Sequence, residues 1–393
     1  MDCKIGLLKH AGTWTTVPHL PGRNIVRCKW VFCLKRKADG SVDKYKACLV
    51  ARGFTQIYGV DYYDTYSLVT RLTNFRLILT ITACNDWDVE AFDFNSAHLN
   101  GELEADEEIY MQEPPGYETG EVGSVKRLLK VLYGLKQARR KWYDVLHTVV
   151  TDLGFRVSKS RPQGIHCLHP EEHTDTWVHV DDCAMTGNSP KLILLYKEKL
   201  HTRYALTDLR LVSWLLRIQV MHDHKTWTIS LSQEAYIKLI IAHFLLADAK
   251  AYSTPMVLSA QYSKSNSPVS ATDIARMRKV PYCKVIGSLM YALVMTRPDI
   301  MLAVLTLLQF LENPGEAHWE AVKRVFHYLS GTCNVVLMYG GEWHDLLGYT
   351  DADGASQEHC QAISGHAFTI DRGAVSWSLW KQELVTVTTR YLK

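Results

Sequence analysis

The chain has no Cys-x-x-Cys pair among its ten cysteines. Zinc ribbons and thiol redox motifs need that spacing, and cysteines this scattered give no disulfide framework. The distribution fits a reducing compartment. Long apolar runs are missing too. No apolar signal segment opens the chain, and the longest apolar stretch, 300–311, is interrupted by Thr306 and Gln309. It is too short to span a bilayer, so a soluble protein with no membrane partner is expected. Nor is there an excess of one charge. Lys and Arg total 44 against 41 Asp and Glu, a net +3, so total charge announces no polyanionic partner.

What is there is local. With 393 residues, 47% of them hydrophobic, the chain can bury large cores and hold two or three domains. Lys29, Lys35, Arg36, Lys37, Lys44, Lys46 and Arg52 form one basic cluster. Lys126, Arg127, Lys130, Lys136, Arg139, Arg140 and Lys141 form another, and Trp30, Phe32, Tyr45, Tyr133, Trp142 and Tyr143 lie among them. Such patches suit phosphate backbones with stacking surfaces nearby, although solvated basic faces look the same in sequence. The first cluster alternates as a strand does, turns at Asp39-Gly40 and returns over 45–51, which predicts a basic hairpin able to close over a triphosphate or template. His166, Cys167, His169 and His173 read as a polar loop.

Two adjacent carboxylates carry the chemistry. Trp177-Val178-His179-Val180 runs into Asp181-Asp182, and Cys183-Ala184-Met185 then leads to Gly187-Asn188-Ser189. That predicts strand, tight turn and strand, with both aspartates at the turn. Neighbouring carboxylates repel unless a cation sits between them, and a hard, oxygen-seeking ion such as Mg²⁺ suits them. A solvated Asp-Asp turn is the plain alternative. Asp93 ends a second predicted strand just before Asn95-Ser96, as either another metal arm or a helix N-cap. It lies 88 residues before Asp181, so only folding can unite them.

Elsewhere, residues 1–25 read as loop. A helix is expected over 72–84 with Leu72, Phe75, Leu79 and Ile81 or Ala83 inward and Thr73 or Asn74 as N-cap. Gly134 between bulky residues allows close approach to a flat ligand, and Trp142, Leu146, Val149 and Leu153 make a helical stripe ended by Gly154. Residues 211–220 read as one strand and 227–231 as another; Ser232 caps a helix, 263–271 is a linker, and 319–329 is helical.

At this level the sequence resembles the reverse transcriptase of copia-type LTR retrotransposons over nearly its whole length. The likeness rests on Gly12-Thr13-Trp14, Cys28-Lys29-Trp30-Val31-Phe32, Leu49-Val50-Ala51-Arg52-Gly53-Phe54-Thr55-Gln56, Leu99-Asn100-Gly101 and Glu108-Ile109-Tyr110-Met111. It continues through 132–138, Val180-Asp181-Asp182, Ser253-Thr254-Pro255-Met256, Thr296-Arg297-Pro298-Asp299-Ile300, 324–331 and 349–353. The resemblance implies an α/β (α+β) right-hand polymerase fold. Fingers would fall in 1–85, the palm in 86–222, the thumb in 223–262, a linker and connection in 263–342, and a truncated RNase H-like segment in 343–393. It implies transfer of a deoxynucleotide from a dNTP to a DNA primer on an RNA template. Asp93, Asp181 and Asp182 would hold two Mg²⁺ ions, with Mn²⁺ as an alternative. Lys35 and Arg52 would neutralise phosphate charge, His98 would face the sugar, and Gly134 and Gln137 would line the templating pair. The compartment implied is intracellular: cytoplasmic, in a virus-like particle, or nuclear.

Departures from the family pattern weigh against full activity. His179 replaces a tyrosine, His98 the aromatic that blocks the ribose 2′-OH, Cys48 an arginine, and Arg139 a proline. Arg210 and Arg217 stand at positions that are usually glycine. Asp351 matches the first RNase H carboxylate, but Arg390 stands at the next acidic position, so RNase H activity is expected to be absent. Two readings follow: a reverse transcriptase impaired in this copy, or a catalytically dead relic keeping at most nucleic-acid binding. A different Mg²⁺-dependent phosphoryl transferase has only the aspartates in its favour.

Overall fold

Asp93 and Asp182 stand opposite each other on adjacent antiparallel strands, and the fold is best followed toward that point. In the computed structural model, the described residues are 1–393 without 37–41, 68–70, 105, 122, 158–165, 169–173, 180–181, 245–249, 258–259, 261, 342–344, 353–361, 372 and 383–393. Backbone alone is described at 35–36, 43, 156–157, 166–168 and 174–179. Asp181, the Asp39-Gly40 turn, His169, His173 and Arg390 therefore lie outside the described residues.

The chain opens on helix α1 (Asp2–His10), then β1 (Trp14–Pro18), β2 (Ile25–Val26) and the hairpin strands β3 (Cys28–Arg36) and β4 (Val42–Ala51). Helix α2 (Leu72–Cys84) precedes β5 (Val89–Phe94), β6 (Tyr110–Met111) and β7 (Ser124–Leu128). Helix α3 (Ala138–Asp152) is followed by β8 (Arg156–Val157), β9 (His166–Leu168), β10 (Thr174–His179), β11 (Asp182–Gly187), α4 (Pro190–Arg203) and β12 (Leu206–Leu211). Then come β13 (Trp214–Leu215), β14 (Ile218–Asp223), β15 (Thr228–Ser232) and helices α5 (Glu234–His243), α6 (Ala271–Met277), α7 (Tyr282–Met295), α8 (Met301–Leu308) and α9 (Glu316–Gly331). Strands β16 (Leu337–Gly340), β17 (Leu347–Ala352), β18 (Ile363–Ile370) and β19 (Gly373–Lys381) close the described chain. This is a mixed α/β protein of two units, Met1–Arg71 with Val89–Leu211, and Leu72–Asp88 with Val212–Lys393.

The first unit holds a six-stranded sheet in the order β12-β5-β11-β10-β9-β8. Strand alternation splits its residues between two faces. Phe92, Phe94, Cys183 and Met185 pack against Trp142, Leu146 and Val149 of α3 and Ile193, Tyr196 and Leu200 of α4. Glu90 and Asp208 share that helix face, where the buried Lys197 ammonium bridges them at 2.5 and 2.6 Å. Asp93, Asp182 and Thr207 form a row across the sheet on the opposite face, since Asp93 registers with both of the others. A separate four-stranded sheet, β1-β7-β6-β2, and the β3–β4 hairpin complete this unit. The expected loop over residues 1–25 is corrected here. Residues 2–10 form α1, because Ile5 and Leu8 share a face and are buried, and Trp14–Pro18 pairs with β7.

The second unit is largely helical. Residues from α5, α7, α8 and α9 form one core around Ile237, Val285, Leu289, Val304, Val322 and Phe326. Within it Arg297 is fully buried. Its guanidinium grips Asp299 through two nitrogens and also donates to the Thr332 carbonyl and hydroxyl oxygens. Burial opposes the Asp299 charge, yet Arg297 and Tyr328 hold its carboxyl below the usual range. The Thr-Arg-Pro-Asp signature is thus a staple that ties the α7–α8 corner to the end of α9.

Helix α2 has the expected bounds, and Phe75, Leu79 and Ala83 of the expected inner face are buried, but the buried surface is wider than that face. Arg76, Ile78, Thr80 and Thr82 are buried, and Arg76 lies 3.8 Å over the Trp377 ring. Thr73 and Asn74 lie inside the first turn rather than capping it. The strand expected over 211–220 is broken. Leu216 and Arg217 make a two-residue turn between β13 and β14, at φ +49° and +58°. Such turns demand left-handed backbone at both positions and favour Asn-Gly. Arg210, at φ +57°, sits at the bulge in β12. Both glycine-to-arginine departures therefore fall where a side chain costs about 1–2 kcal/mol. The linker expected over 263–271 holds a capped turn, Lys264–Asn266, and the Ser270 cap of α6.

Two stability outcomes are expected. Arg297→Met should destabilise the protein by about 3–5 kcal/mol in chemical denaturation, because it strands the Asp299 carboxylate. Arg217→Gly should stabilise it by about 0.5–1 kcal/mol: relief of the left-handed strain exceeds the added chain entropy of glycine.

Candidate active site

Opposed residues of an antiparallel pair place their Cβ atoms about 4.5–5.5 Å apart, and like charges there are destabilising. Asp93 and Asp182 meet that description, at the ends of their strands and both half-buried. Strands β10 and β11 pair antiparallel with His179 opposite Asp182, as the two predicted strands require; the residues joining them lie outside the described ones. Asp182 is the first residue of β11 rather than part of the turn. The expectation of Asp93 as a helix N-cap is not met: it lies within β5. Two carboxylates predicted from segments far apart in sequence thus come together in one row.

The chain after β5 turns at Ser96, at φ +59°, into a short 3-10 turn, Ala97–Asn100. This brings in His98, which is 7% exposed with its ring edge-on to Tyr133, 4.6 Å between centroids. Burial, reinforced by the Arg139 charge, lowers the imidazole from its ordinary 6.5 to about 4. His98 is therefore a neutral, packed ring at neutral pH. Sequence reasoning missed Lys4 of α1, whose ammonium donates to Ser96 Oγ at 3.2 Å and whose pKa burial lowers. No motif marks it, because the helix that carries it was not foreseen.

Gly134 and Gln137 are explained by the protein's own packing. Gly134 has φ +93°, and a Cβ there would lie 2.1 Å from the Ala51 carbonyl oxygen. Gly53 faces Gly134 reciprocally, with 2.3 Å to its oxygen. The close approach read from the sequence is made by β4 rather than by a ligand. Gln137 is fully buried; its amide donates to the Asp61 carbonyl and accepts from Gln56. Arg52 begins the Gly53–Thr55 turn, and its Nε is buried without a hydrogen bond. Lys35 is opposite Lys44 in the β3–β4 hairpin, whose distal half exposes Phe32 and Tyr45.

Four residues of the second basic cluster are paired with carboxylates. Lys126 pairs with Glu113, Arg127 with Glu108, Arg140 with Asp64, and Lys141 with Glu104 and Glu107. Lys130, Lys136 and Arg139 are left without a carboxylate partner among the described residues.

With this geometry established, residues 11–258 match the family model described as reverse transcriptase (RNA-dependent DNA polymerase). The chain belongs to the reverse transcriptase family. It is 38% identical over 389 residues to the retrovirus-related Pol polyprotein from transposon TNT 1-94 of Nicotiana tabacum, covering 97% of this chain and 29% of that one. The Pol polyprotein from transposon RE1 of Arabidopsis thaliana is 35% identical over 375 residues, covering 94% and 25%. The chain thus spans under a third of the length of these relatives. A solved foamy viral protease-reverse transcriptase in complex with double-stranded DNA is similar at TM-score 0.46 and 10% identity, covering 97% of this chain and 56% of that one. The sequence resemblance to copia-type Pol is borne out: this is a reverse transcriptase domain of the retrotransposon Pol type. Among the described residues no helix is long and apolar enough to cross a membrane.

The packing of His98 has a pH consequence. Its depressed folded pKa gives stability that is complete above about 6.5 and lost as pH falls through about 4. The thermal unfolding midpoint should fall across that window, and His98→Phe should flatten the fall. An unchanged slope would mean that His98 is not buried neutral.

Proposed function

We propose that this domain carries out RNA-directed DNA synthesis, adding deoxynucleotides from dNTPs to a DNA primer on an RNA template. The register of Asp93 with Asp182 carries the reading. Like charges opposed on neighbouring strands repel, and a cation held between the two carboxylates would turn that repulsion into binding. Oxygen ligands alone suit a hard ion, so the residues fit Mg²⁺, with Mn²⁺ as the substitute. Asp181 adjoins Asp182 in sequence and is the third proposed ligand. When bound, two such ions would lower the pKa of the primer 3′-OH and stabilise the departing pyrophosphate.

The chain's own residues supply the rest. Asp93 and Asp182 position the ions from two strands held rigid by the helix-backed sheet. Lys35 and Arg52 meet triphosphate or template charge, and the exposed Phe32 and Tyr45 of the hairpin offer stacking surface. His98 stands one short turn after Asp93, where a packed ring can face the sugar of the incoming nucleotide. Gly134 and Gln137 act from behind, by holding the turn that begins α3 against β4. On this reading the five segments implied by the resemblance are fingers, palm, thumb, connection and an RNase H-like segment. Asp351 lies on β17 of the last, where no RNase H activity is proposed. Activity is reduced rather than abolished, because the arginines at left-handed positions cost stability while the described carboxylates keep their register.

The test is Mg²⁺-dependent primer extension on an RNA template with the full chain. Asp182→Asn or Asp93→Asn should lower incorporation by about a thousandfold, the factor carried by a loss of several kcal/mol of charge stabilisation. Equal incorporation by variant and parent would sink the proposal. Salt-sensitive primer-template binding without any incorporation would identify a catalytically dead domain instead.

A further inference from the structure

A second constellation of ligand-type side chains lies in the second unit. Asp86, His222 and His224 bring one donor atom each to within 4.8 Å of one another. His222 Nε2 is 3.3 Å from Asp86 Oδ1, and His224 Nδ1 is 2.7 Å from the same oxygen. We propose that these three side chains form a binding site for one divalent transition-metal ion, Zn²⁺ above all, independent of the polymerase carboxylates.

The backbone explains why they converge. His222 and His224 alternate on the end of β14 and the start of its turn to β15, so both project to one side. Asp86 terminates α2. Its N–H donates to the Ala83 carbonyl, that of Trp87 donates to Thr82, and Asp86 itself takes φ +52°. This is the paired helix-end closure whose left-handed residue is usually glycine, and aspartate is among the few side chains that tolerate it. The carboxylate is thereby aimed by the main chain rather than by a flexible arm.

The chemistry of the donors is specific. Two imidazole nitrogens and one carboxylate oxygen suit Zn²⁺ rather than Mg²⁺, and three protein ligands leave a position open for water. In a tetrahedral zinc site with bonds of about 2.0–2.1 Å, neighbouring ligand atoms sit about 3.3 Å apart. The His222–Asp86 spacing already has that value, and the His224 contact needs to open by well under an ångström. His222 Nε2 is buried and makes no hydrogen bond: it points at Asp86 but misses the angle. The two rings lie 3.9 Å apart between centroids, a crowding that a shared ion rationalises. The far nitrogen of His224 faces Asp88 Oδ1 at 3.6 Å. Without an ion, Nδ1 donates to Asp86; with an ion in place of that proton, the Nε2–H would have Asp88 as its acceptor. A bound ion would pin the end of α2 to the β14–β15 hairpin.

The experiment titrates the full chain, stripped by chelation, with ZnCl₂ by calorimetry and with CoCl₂ by visible absorption. One equivalent should bind, with Co²⁺ giving the intense d–d bands of a low-coordinate N/O site and Zn²⁺ raising the unfolding midpoint. Asp86→Asn, which keeps the left-handed turn, and His224→Asn should each weaken binding by about tenfold to a hundredfold with unchanged circular dichroism. Asp182→Asn should leave the titration as it is. No saturable binding would overturn the proposal. So would zinc binding that survives Asp86→Asn and His224→Asn, whether it is then lost on replacing His166 and Cys167 or on Asp182→Asn.

Discussion

Repulsion between two aspartates is the constraint around which the first unit is built. A sheet interior is a poor place for like charges, and Asp93 and Asp182 occupy opposed positions on its central strands. The remainder of that sheet is arranged so that this one row can bear the strain. Aromatic and aliphatic residues on the other face are sealed by α3 and α4. The neighbouring carboxylates, Glu90 and Asp208, are neutralised by Lys197 on the helix side. The charge on that helix-facing side is thus bridged within the protein, while Asp93 and Asp182 face each other across the opposite side of the sheet.

The family's signature motifs divide, on this structure, into those that touch chemistry and those that hold the scaffold. The Gly134 and Gln137 stretch reads in sequence like a ligand contact, yet its glycine serves a backbone crossing and its glutamine is hydrogen-bonded inside. Arg297 in Thr-Arg-Pro-Asp is a buried staple. Such residues resist substitution for reasons of satisfaction: a buried guanidinium or amide left without partners costs more than the pair contributes.

Arg210 and Arg217 fit the same physics. Both occupy left-handed backbone, where glycine is at ease and an L side chain is not. Their exposed side chains disturb no core, so the fold keeps its register at a cost in strain. Deviation from the family pattern was legible as lost glycines; that the turn and the bulge survive them was not.

Helices with a sustained periodic face, α2, α3 and α9, were legible in the sequence because 3.6-residue spacing is a local signal. Helix α1 was not, since only two of its residues are buried and nothing local announces what covers them. The added breadth of the buried surface of α2 was not legible, because Arg76 is buried against a tryptophan 301 positions later in the chain. That four residues of the second basic cluster meet carboxylates was not legible, because those acids come from elsewhere in the chain. By itself the amino-acid order determined which residue types carry the chemistry, aspartate at 93 and 182 among them, because valence and charge belong to side chains wherever they sit. Only the tertiary structure decided that these two face each other, that Gly134 serves the backbone, and that Asp86, His222 and His224 converge. Proximity between distant segments is set by sheet register and helix packing, and these depend on the whole chain at once.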